Sequence, residues 1–272
     1  MHDDSSINPN RYTLLGVECD ALTISDVLNK FEYAIETDQP NLIIGNHNLH
    51  SIYLFHREPR MQRFYGSCSA IYIDSMLLIV LGKLLGLPLQ RKHRTAFLDW
   101  YKDFLSLAEA RGWRIFYVGG RQESLNKGAQ WFRRHYPNLS IRFHHGYFAN
   151  SQLPALYDEI REFKPHILLV GMGMPRQEDW ILSALGNVRA NAIVNGGAMI
   201  EYLIGDLVAT PRWLGQLGLE WMFRLVMEPR RLARRYLIEP LYLLDLLARD
   251  LAAAWNWRGA QAQARRFRNP GR

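Results

Sequence analysis

The sequence predicts an α/β protein: one doubly wound, mostly parallel sheet, with a helical, arginine-rich appendage at its C-terminal end. Three observations carry this. Short apolar runs alternate with amphipathic segments from residue 41 to residue 205. Several of those runs stop at Gly-Gly, Gly-x-Gly or a polar cluster, as strands do at the ligand-binding edge of an open sheet. After residue 211 the alternation ends, and residues 212–272 hold 12 arginines, no lysine and five acids, a net of +7 that equals the net charge of the whole chain. The expected division is a Rossmann-like core over residues 1–211 and a basic appendage over 212–272. Charge confined in this way points to phosphate, nucleic acid or an anionic membrane.

Taken in order, residues 12–17 read as a strand, and a helix opens at Ser25-Asp26 with Val27, Leu28, Phe31 and Ile35 on one face. The apolar run 41–45 delivers Asn46-His47-Asn48, either a ligand-binding edge or an Asn-rich turn that satisfies its own backbone. A helix over 51–64 follows, then a strand over 70–73 that delivers Asp74 to the start of a helix over 76–85. A carboxylate there serves as a general base or as a helix cap, and the residue alone reads more simply as the cap. Arg91, Lys92, His93 and Arg94 form a basic cluster, a solvated connection or part of an anion pocket.

A helix over 97–111 leads to the strand 113–118, which runs into Gly119-Gly120 and a helix over 122–135. This is half a nucleotide-binding unit, with the helix N-terminus offering N–H groups to phosphate, although the full GxGxxG fingerprint is absent. The strand 141–143 reaches His144-His145-Gly146-Tyr147-Phe148; with no third ligand in register the pair reads as a structural or substrate-facing turn, and no metal is expected. After a helix over 153–163, KPHILLVGMGMPRQEDW (164–180) combines a buried strand, the turn Gly171-x-Gly173 and a helix opening at Pro175, with Arg176, Gln177 and Glu178 in its first turn. The strand 192–195 leads to Gly196-Gly197 and Glu201.

Beyond Thr210-Pro211 come Trp213, Trp221, Phe223 and four arginines within six residues, Arg230, Arg231, Arg234 and Arg235. A last helix over 237–257 carries the stripe Leu237, Leu241, Leu244, Ala248, Leu251 and Trp255, which docks on its own domain or faces a membrane or partner. The tail 258–272 is basic and expected to fray. Composition bounds the rest: 48% hydrophobic and 22% charged residues exclude a disordered chain. Cys19 and Cys68 match no metal or redox spacing and read as structural thiols of a reducing cytoplasm. The polar start MHDDSSINPNR predicts no signal peptide, and the longest apolar run, 76–89, is broken by Lys83, so membrane contact is expected to be peripheral.

PHILLVGMGMPRQEDWI (165–181), YVGG with HYP and HHGYF (117–148) and GLEWMFRLVMEPRRLARRY (218–236) together resemble the WecG/TagA/CpsF family of bacterial glycosyltransferases, glycosyltransferase family 26, over about residues 12–240. The resemblance implies an inverting transferase that moves a sugar from a UDP-sugar to a polyprenyl-diphosphate-linked acceptor at the cytoplasmic membrane face. It implies no obligatory metal or other cofactor, and a role in surface or exopolysaccharide synthesis. Carried over by motif, the proposed base falls on Asp74. The Thr-x-Asn pair falls on Asn46 and Asn48, and substrate-lining positions on Arg91, Gln177 and Glu201. Appendage arginines thought to reach the diphosphate fall on Arg224, Arg231 and Arg234. Gly119, Gly120 and Gly171, at the strand ends, complete the expected substrate-binding set.

The chain departs from the family pattern at Asp74-Ser75 for Asp-Gly, Asn46-x-Asn48 for Thr-x-Asn, and Gln90-Arg91-Lys92-His93-Arg94 for Glu-Arg-x-x-Gly. Donor glucose, N-acetylmannosamine and its uronic acid are therefore all retained. Chemically the parts cohere: a carboxylate deprotonates the acceptor hydroxyl, and without an Asp-x-Asp motif the departing diphosphate is met by helix N-termini and arginine. Expected partners are the donor, the lipid-linked acceptor and an anionic membrane surface, with a second copy of the chain left open. Two other classes fit the chain less well: a nucleic-acid-binding module, because the arginines alternate with an apolar helix rather than with base-reading groups, and a nucleotide-dependent oxidoreductase, because the phosphate fingerprint is incomplete.

Overall fold

The computed structural model describes residues 10–216 and 218–252. The chain begins with a hairpin, β1 (Arg11–Leu14) and β2 (Val17–Asp20), where the sequence predicts a single strand. The reversal occurs at Leu15 and Gly16, with φ of 53° and 73°, the paired positive values of a two-residue hairpin turn. Leucine rarely adopts that conformation, which is why the turn is silent in the sequence. Asp20 ties the hairpin down: it is fully buried, accepts from Arg11 Nε at 2.8 Å, and accepts from the Ile71 N–H at 2.7 Å.

The core then alternates: α1 (Ile24–Glu36), β3 (Leu42–His47), α2 (Leu49–Phe55), α3 (Pro59–Gly66), β4 (Ala70–Ile73), α4 (Met76–Leu84), α5 (Phe97–Ala110), β5 (Arg114–Gly119), α6 (Gln122–His135), β6 (Ser140–His144), α7 (Leu153–Phe163), β7 (Ile167–Gly171), α8 (Arg176–Ala184), β8 (Ala192–Asn195) and α9 (Met199–Leu203). The single helix expected over 51–64 is divided, because Pro59 cannot continue α2 and instead opens α3. The strands form one six-stranded sheet in the order β4-β3-β8-β7-β5-β6, with every pairing parallel.

Both faces of this sheet are covered. Phe31, Trp100, Phe104, Phe132 and Ile200, from α1, α5, α6 and α9, pack on Ile44, Tyr72, Tyr117, Leu169 and Val194. On the other face Tyr53, Phe64, Ile160 and Ile181, from α2, α3, α7 and α8, pack on Ile43, Ile71, Phe116, Leu168 and Ile193. The chain therefore leaves β5 and β7 toward opposite faces, and likewise β3 and β8. Each divergence opens a crevice at the carboxyl edge of the sheet.

The appendage comprises α10 (Arg212–Gln216), α11 (Glu220–Met227) and α12 (Pro229–Ala233), then helix to residue 252 through a π-turn at Arg234–Ile238. The expected extension to residue 257, Trp255 and the tail 258–272 lie outside the described residues. The stripe read from the sequence does not dock on the core. Leu237, Leu241, Leu244, Ala248 and Leu251 face solvent, with Leu241 61% exposed. The opposite side docks: Leu243 is buried among Leu14, Val17, Ile73 and Ile79, and Asp250 Oδ2 accepts from the Leu15 N–H at 2.7 Å. The Arg57 guanidinium lies over the Tyr53 and Tyr242 rings, 5.1 and 4.2 Å from their centroids. Among the described residues no helix is long and apolar enough to cross a membrane. Because Leu243 fills a buried site, Leu243→Ala should lower stability by about 2–5 kcal/mol, read as a shifted urea midpoint; an unchanged midpoint would show that the helix is not packed on the core.

Candidate active site

The crevice between β3 and β8 deepens into a cavity of about 520 Å³, with Asn46, Tyr72 and Asn195 in its floor, Asp74, Arg94 and Tyr202 in its wall, and Arg224, Arg231, Arg234 and Arg235 contributed by the appendage. Asp74 is the first residue beyond β4, and its N–H donates to His47 O at 2.9 Å, continuing the strand pairing. Its backbone is thus fixed while its side chain enters the cavity. Ser75, not Asp74, is the N-cap of α4, and it makes no side-chain cap bond. The cap reading of Asp74 is therefore set aside.

Asn48 caps α2 by accepting from the Ser51 N–H at 3.1 Å; its Oδ1 also accepts from Arg235 Nη2 at 3.3 Å, and its side chain hydrogen-bonds Asp74. Burial raises the Asp74 pKa above the ordinary carboxylate range, and the charge of Glu220 raises it further. Arg94, Arg224 and the Asn48 bond oppose that shift. The net result is a carboxylate more basic than a solvated one, in reach of polar ligands.

Arg94 joins core to appendage, donating to Asp99 Oδ2 at 2.6 Å and to Glu220 Oε2 at 2.7 Å. Arg224 Nη2 donates to the Tyr202 hydroxyl at 2.5 Å. His50 Nδ1 meets Glu239 Oε2 at 2.6 Å, a second tie between the two parts. The Nε groups of Arg224 and Arg235 are buried with no protein partner. A buried charged donor left unpaired costs about 1–3 kcal/mol or more, so an anion entering the cavity completes what the protein leaves open. Arg231 pairs with both oxygens of Glu228 at 2.6 Å, and it and Arg234 are exposed at the cavity edge.

The floor is a buried amide relay. Asn46 Nδ2 lies 3.2 Å from both the Tyr72 hydroxyl and Asn195 Oδ1. Asn195 Nδ2 and Gln177 Nε2 both donate to Glu178 Oε1, at 2.9 and 2.7 Å. Gln177 Oε1 accepts from the Gly173 N–H at 3.2 Å, so both ends of its amide are bonded within the protein. Of the three first-turn residues of α8, only Gln177 reaches the cavity. Glu178 is fully buried beneath it, with burial raising its pKa, and Arg176 lies over Tyr147 and Phe148.

The remaining expected residues fall elsewhere. Gly119, Gly120, Gly171 and Glu201 gather one crevice over, at β5 and β7. There a Cβ on Gly119 would lie 2.3 Å from Gly171 O, one on Gly171 2.5 Å from Gly197 O, and one on Gly120 3.2 Å from Glu201 Oε1. At Gly119 and Gly171, where the neighbour is backbone, only glycine permits that approach. Glu201 shares α9 with Tyr202 and Leu203, which line the main cavity, but its own side chain turns to this glycine cluster, where Oε2 is buried without a partner and burial raises its pKa. Arg91 sits on an exposed turn outside the cavity; Arg94, three residues on, is the member of the basic cluster that enters it. His144 bonds the His145 carbonyl at 2.8 Å, and among the described residues no three His, Cys, Asp or Glu side chains are grouped to hold a metal. Sequence reasoning missed Arg94, Arg235, Glu220, Tyr202, His50 and Glu239; the basic cluster and the arginine run were the signals for two of them.

A carboxylate and converging arginine donors in one crevice of a Rossmann-like sheet equip a group-transfer enzyme that handles phosphate. The sequence model described as "Glycosyl transferase WecG/TagA/CpsF family" matches residues 12–256, and the chain belongs to that family. Among its curated relatives is an N-acetylglucosaminyldiphosphoundecaprenol N-acetyl-beta-D-mannosaminyltransferase of Staphylococcus aureus strain MW2, 24% identical over 228 residues, covering 84% of this chain and 89% of the relative. The enzyme of the same description from Staphylococcus aureus strain NCTC 8325 / PS 47 matches with the same identity and coverage. The chain is thus a glycosyltransferase, and the nucleic-acid and oxidoreductase alternatives fall away.

Glu178 gives a test of the floor. Glu178→Gln keeps the acceptor oxygen that Gln177 and Asn195 share and should change stability by less than about 1 kcal/mol, whereas Glu178→Leu orphans both amide donors at about 1–3 kcal/mol each. Thermal unfolding of the two variants measures this, and equal losses would show that the relay is not held by that oxygen.

Proposed function

We propose that this chain is an inverting transferase that moves a hexosyl group from a UDP-sugar to a polyprenyl-diphosphate-linked saccharide, in the synthesis of a bacterial surface or exopolysaccharide. N-acetylmannosamine is the first donor sugar to try, because the relatives' names carry it; glucose and N-acetylmannosaminuronic acid follow. The observation that carries the reading is Asp74 facing the same cavity as Arg224 and Arg235, each with an unpaired Nε–H. The acceptor hydroxyl attacks the anomeric carbon, the bond from that carbon to the diphosphate oxygen breaks, and the hydroxyl proton passes to Asp74. One displacement inverts the anomeric configuration. Charge gathering on the departing diphosphate is met by backbone N–H groups already in place at the glycine crevice, which need no reorganisation, and Arg224 and Arg235 are left for the acceptor's own diphosphate. The donor nucleotide is assigned to the glycine crevice of β5 and β7, where backbone can approach phosphate closely and Glu201 offers a hydroxyl partner. Divalent metal is not required in this scheme, and chelation should leave the rate unchanged.

The decisive experiment incubates the protein with a panel of UDP-sugars and N-acetylglucosaminyl-diphosphoundecaprenol in vesicles. Asp74→Asn should cut turnover by about 10²-fold or more while donor binding is kept; near wild-type turnover would remove Asp74 from the role of base. The pH profile has a fixed sign. Asp74 works ionised, so the rate falls as pH drops through its raised pKa. Glu220→Gln removes a charge that raises that pKa and should move the acidic limb of kcat/KM to lower pH, while Arg94→Gln should move it higher.

Membrane docking at the cytoplasmic face is part of the same proposal. The outward stripe of the last helix adjoins a strongly basic segment, and anionic lipid attracts each nearby arginine by about 1 kcal/mol. Intact protein should sediment with anionic vesicles at low salt, and Leu241→Glu with Leu244→Glu should release it; wild-type protein remaining in the supernatant would end the docking claim.

A further inference from the structure

Beside the polar cavity lies a second one of about 390 Å³, which shares a polar end with it, Asp74, Arg94, Glu220, Arg224 and Arg235 among its residues. Away from that end its walls differ in character. Leu49, Met76 and Leu77 form one side, and Trp221, Tyr236 and Pro240 the other. The slot is narrow where a Cβ on Gly218 would sit 3.5 Å from Met76 Cγ. From its mouth an apolar path continues along α4: Leu77, Val80 and Leu84 stand on one helical face, 40%, 45% and 65% exposed. At about 1.5 Å per residue that path is roughly 10 Å long. A core helix whose outer face is leucine and valine, starting at a slot lined by two half-buried arginines, matches one kind of ligand: an anionic head joined to an extended apolar chain.

We infer that this second cavity is the entry slot for the acceptor's lipid, with its diphosphate between Arg224 and Arg235 and the first isoprene units lying between α4 and α11, along Leu77 and Val80. The inference rests on the proposed acceptor class and adds the route by which it arrives. Donor and acceptor then reach Asp74 from different sides: the sugar nucleotide along the sheet edge, the lipid through the apolar slot. The core helix α4, and not the appendage alone, forms half of the lipid contact.

A binding measurement tests this without turnover. Full-length protein is titrated with farnesyl diphosphate and with methyl diphosphate, which share a head and differ in the tail, following tryptophan fluorescence. Wild type should bind the farnesyl compound about tenfold tighter or more, the worth of burying two methylenes. Leu77→Glu and Val80→Glu, at partly exposed positions and checked by thermal unfolding, should lose that preference while keeping the affinity for methyl diphosphate. Equal wild-type affinity for the two ligands overturns the inference. So does a preference that survives both substitutions, including the case in which they weaken vesicle binding, which would make the face a bilayer contact only. If the farnesyl preference is present but no UDP-sugar supports transfer, the slot stands and the proposed reaction is what fails.

Discussion

The site depends on the Arg94 guanidinium, which spans the seam between the α/β core and the appendage. One nitrogen is held by Asp99 of α5 and another by Glu220 of α11, at 2.6 and 2.7 Å. Neither carboxylate alone would fix the appendage, since an exposed ion pair contributes about 0–1 kcal/mol. Here the arginine is mostly enclosed and its planar fork is satisfied at both ends, which fixes direction as well as distance. The bridge positions the start of α11, and through it Arg224. It also sets two opposing charges, Arg94 and Glu220, beside Asp74, so the element that closes the cavity tunes the group at its centre.

Beneath that seam the floor follows a different rule. Asn46, Asn195, Gln177 and Glu178 lie on three elements of one sheet edge, and nearly every amide end is bonded inside the protein. Such a relay holds a surface shape, and its open atoms, Asn46 Oδ1 and Glu178 Oε2, are acceptors. The open donors are on the opposite side, on the appendage. The cavity thus pairs a rigid core wall with an unsaturated wall that a ligand completes.

Much of this was legible in the chain. The strands Ala70–Ile73 and Ala192–Asn195 and the helices Gln122–His135 and Leu153–Phe163 stand where their hydrophobic pattern places them, because parallel strands buried on both faces leave strong apolar runs. Asp74, Asn46 and Asn48 were visible as polar residues at strand ends. The arginines were not resolved one from another. Arg231 and Arg234, expected to reach a diphosphate, stand exposed at the cavity edge, and Arg235, which was not singled out for that role, turns inward through the π-turn at Arg234–Ile238. Such a turn takes an extra residue and shifts the phase of everything after it, which a fixed 3.6-residue period does not register. The last helix shows the same limit: its outward stripe was read as a face, but Leu243, Leu246 and Leu247 on the docked side are equally apolar.

The bond from Leu15 to Asp250 has a consequence for synthesis. It joins the first turn of the chain to nearly its last described residue, and Leu243 completes an apolar cluster begun by Leu14 and Val17. A nascent chain emerging from the ribosome carries the hairpin and α4 with that cluster unfilled until the final helix arrives. Arrested or nonsense-truncated products therefore display sticky surface throughout their lifetime, the kind that chaperones and proteases select. The fold itself thus registers whether this helix has been made: only a chain that carries it both hides that surface and holds the arginine wall in place.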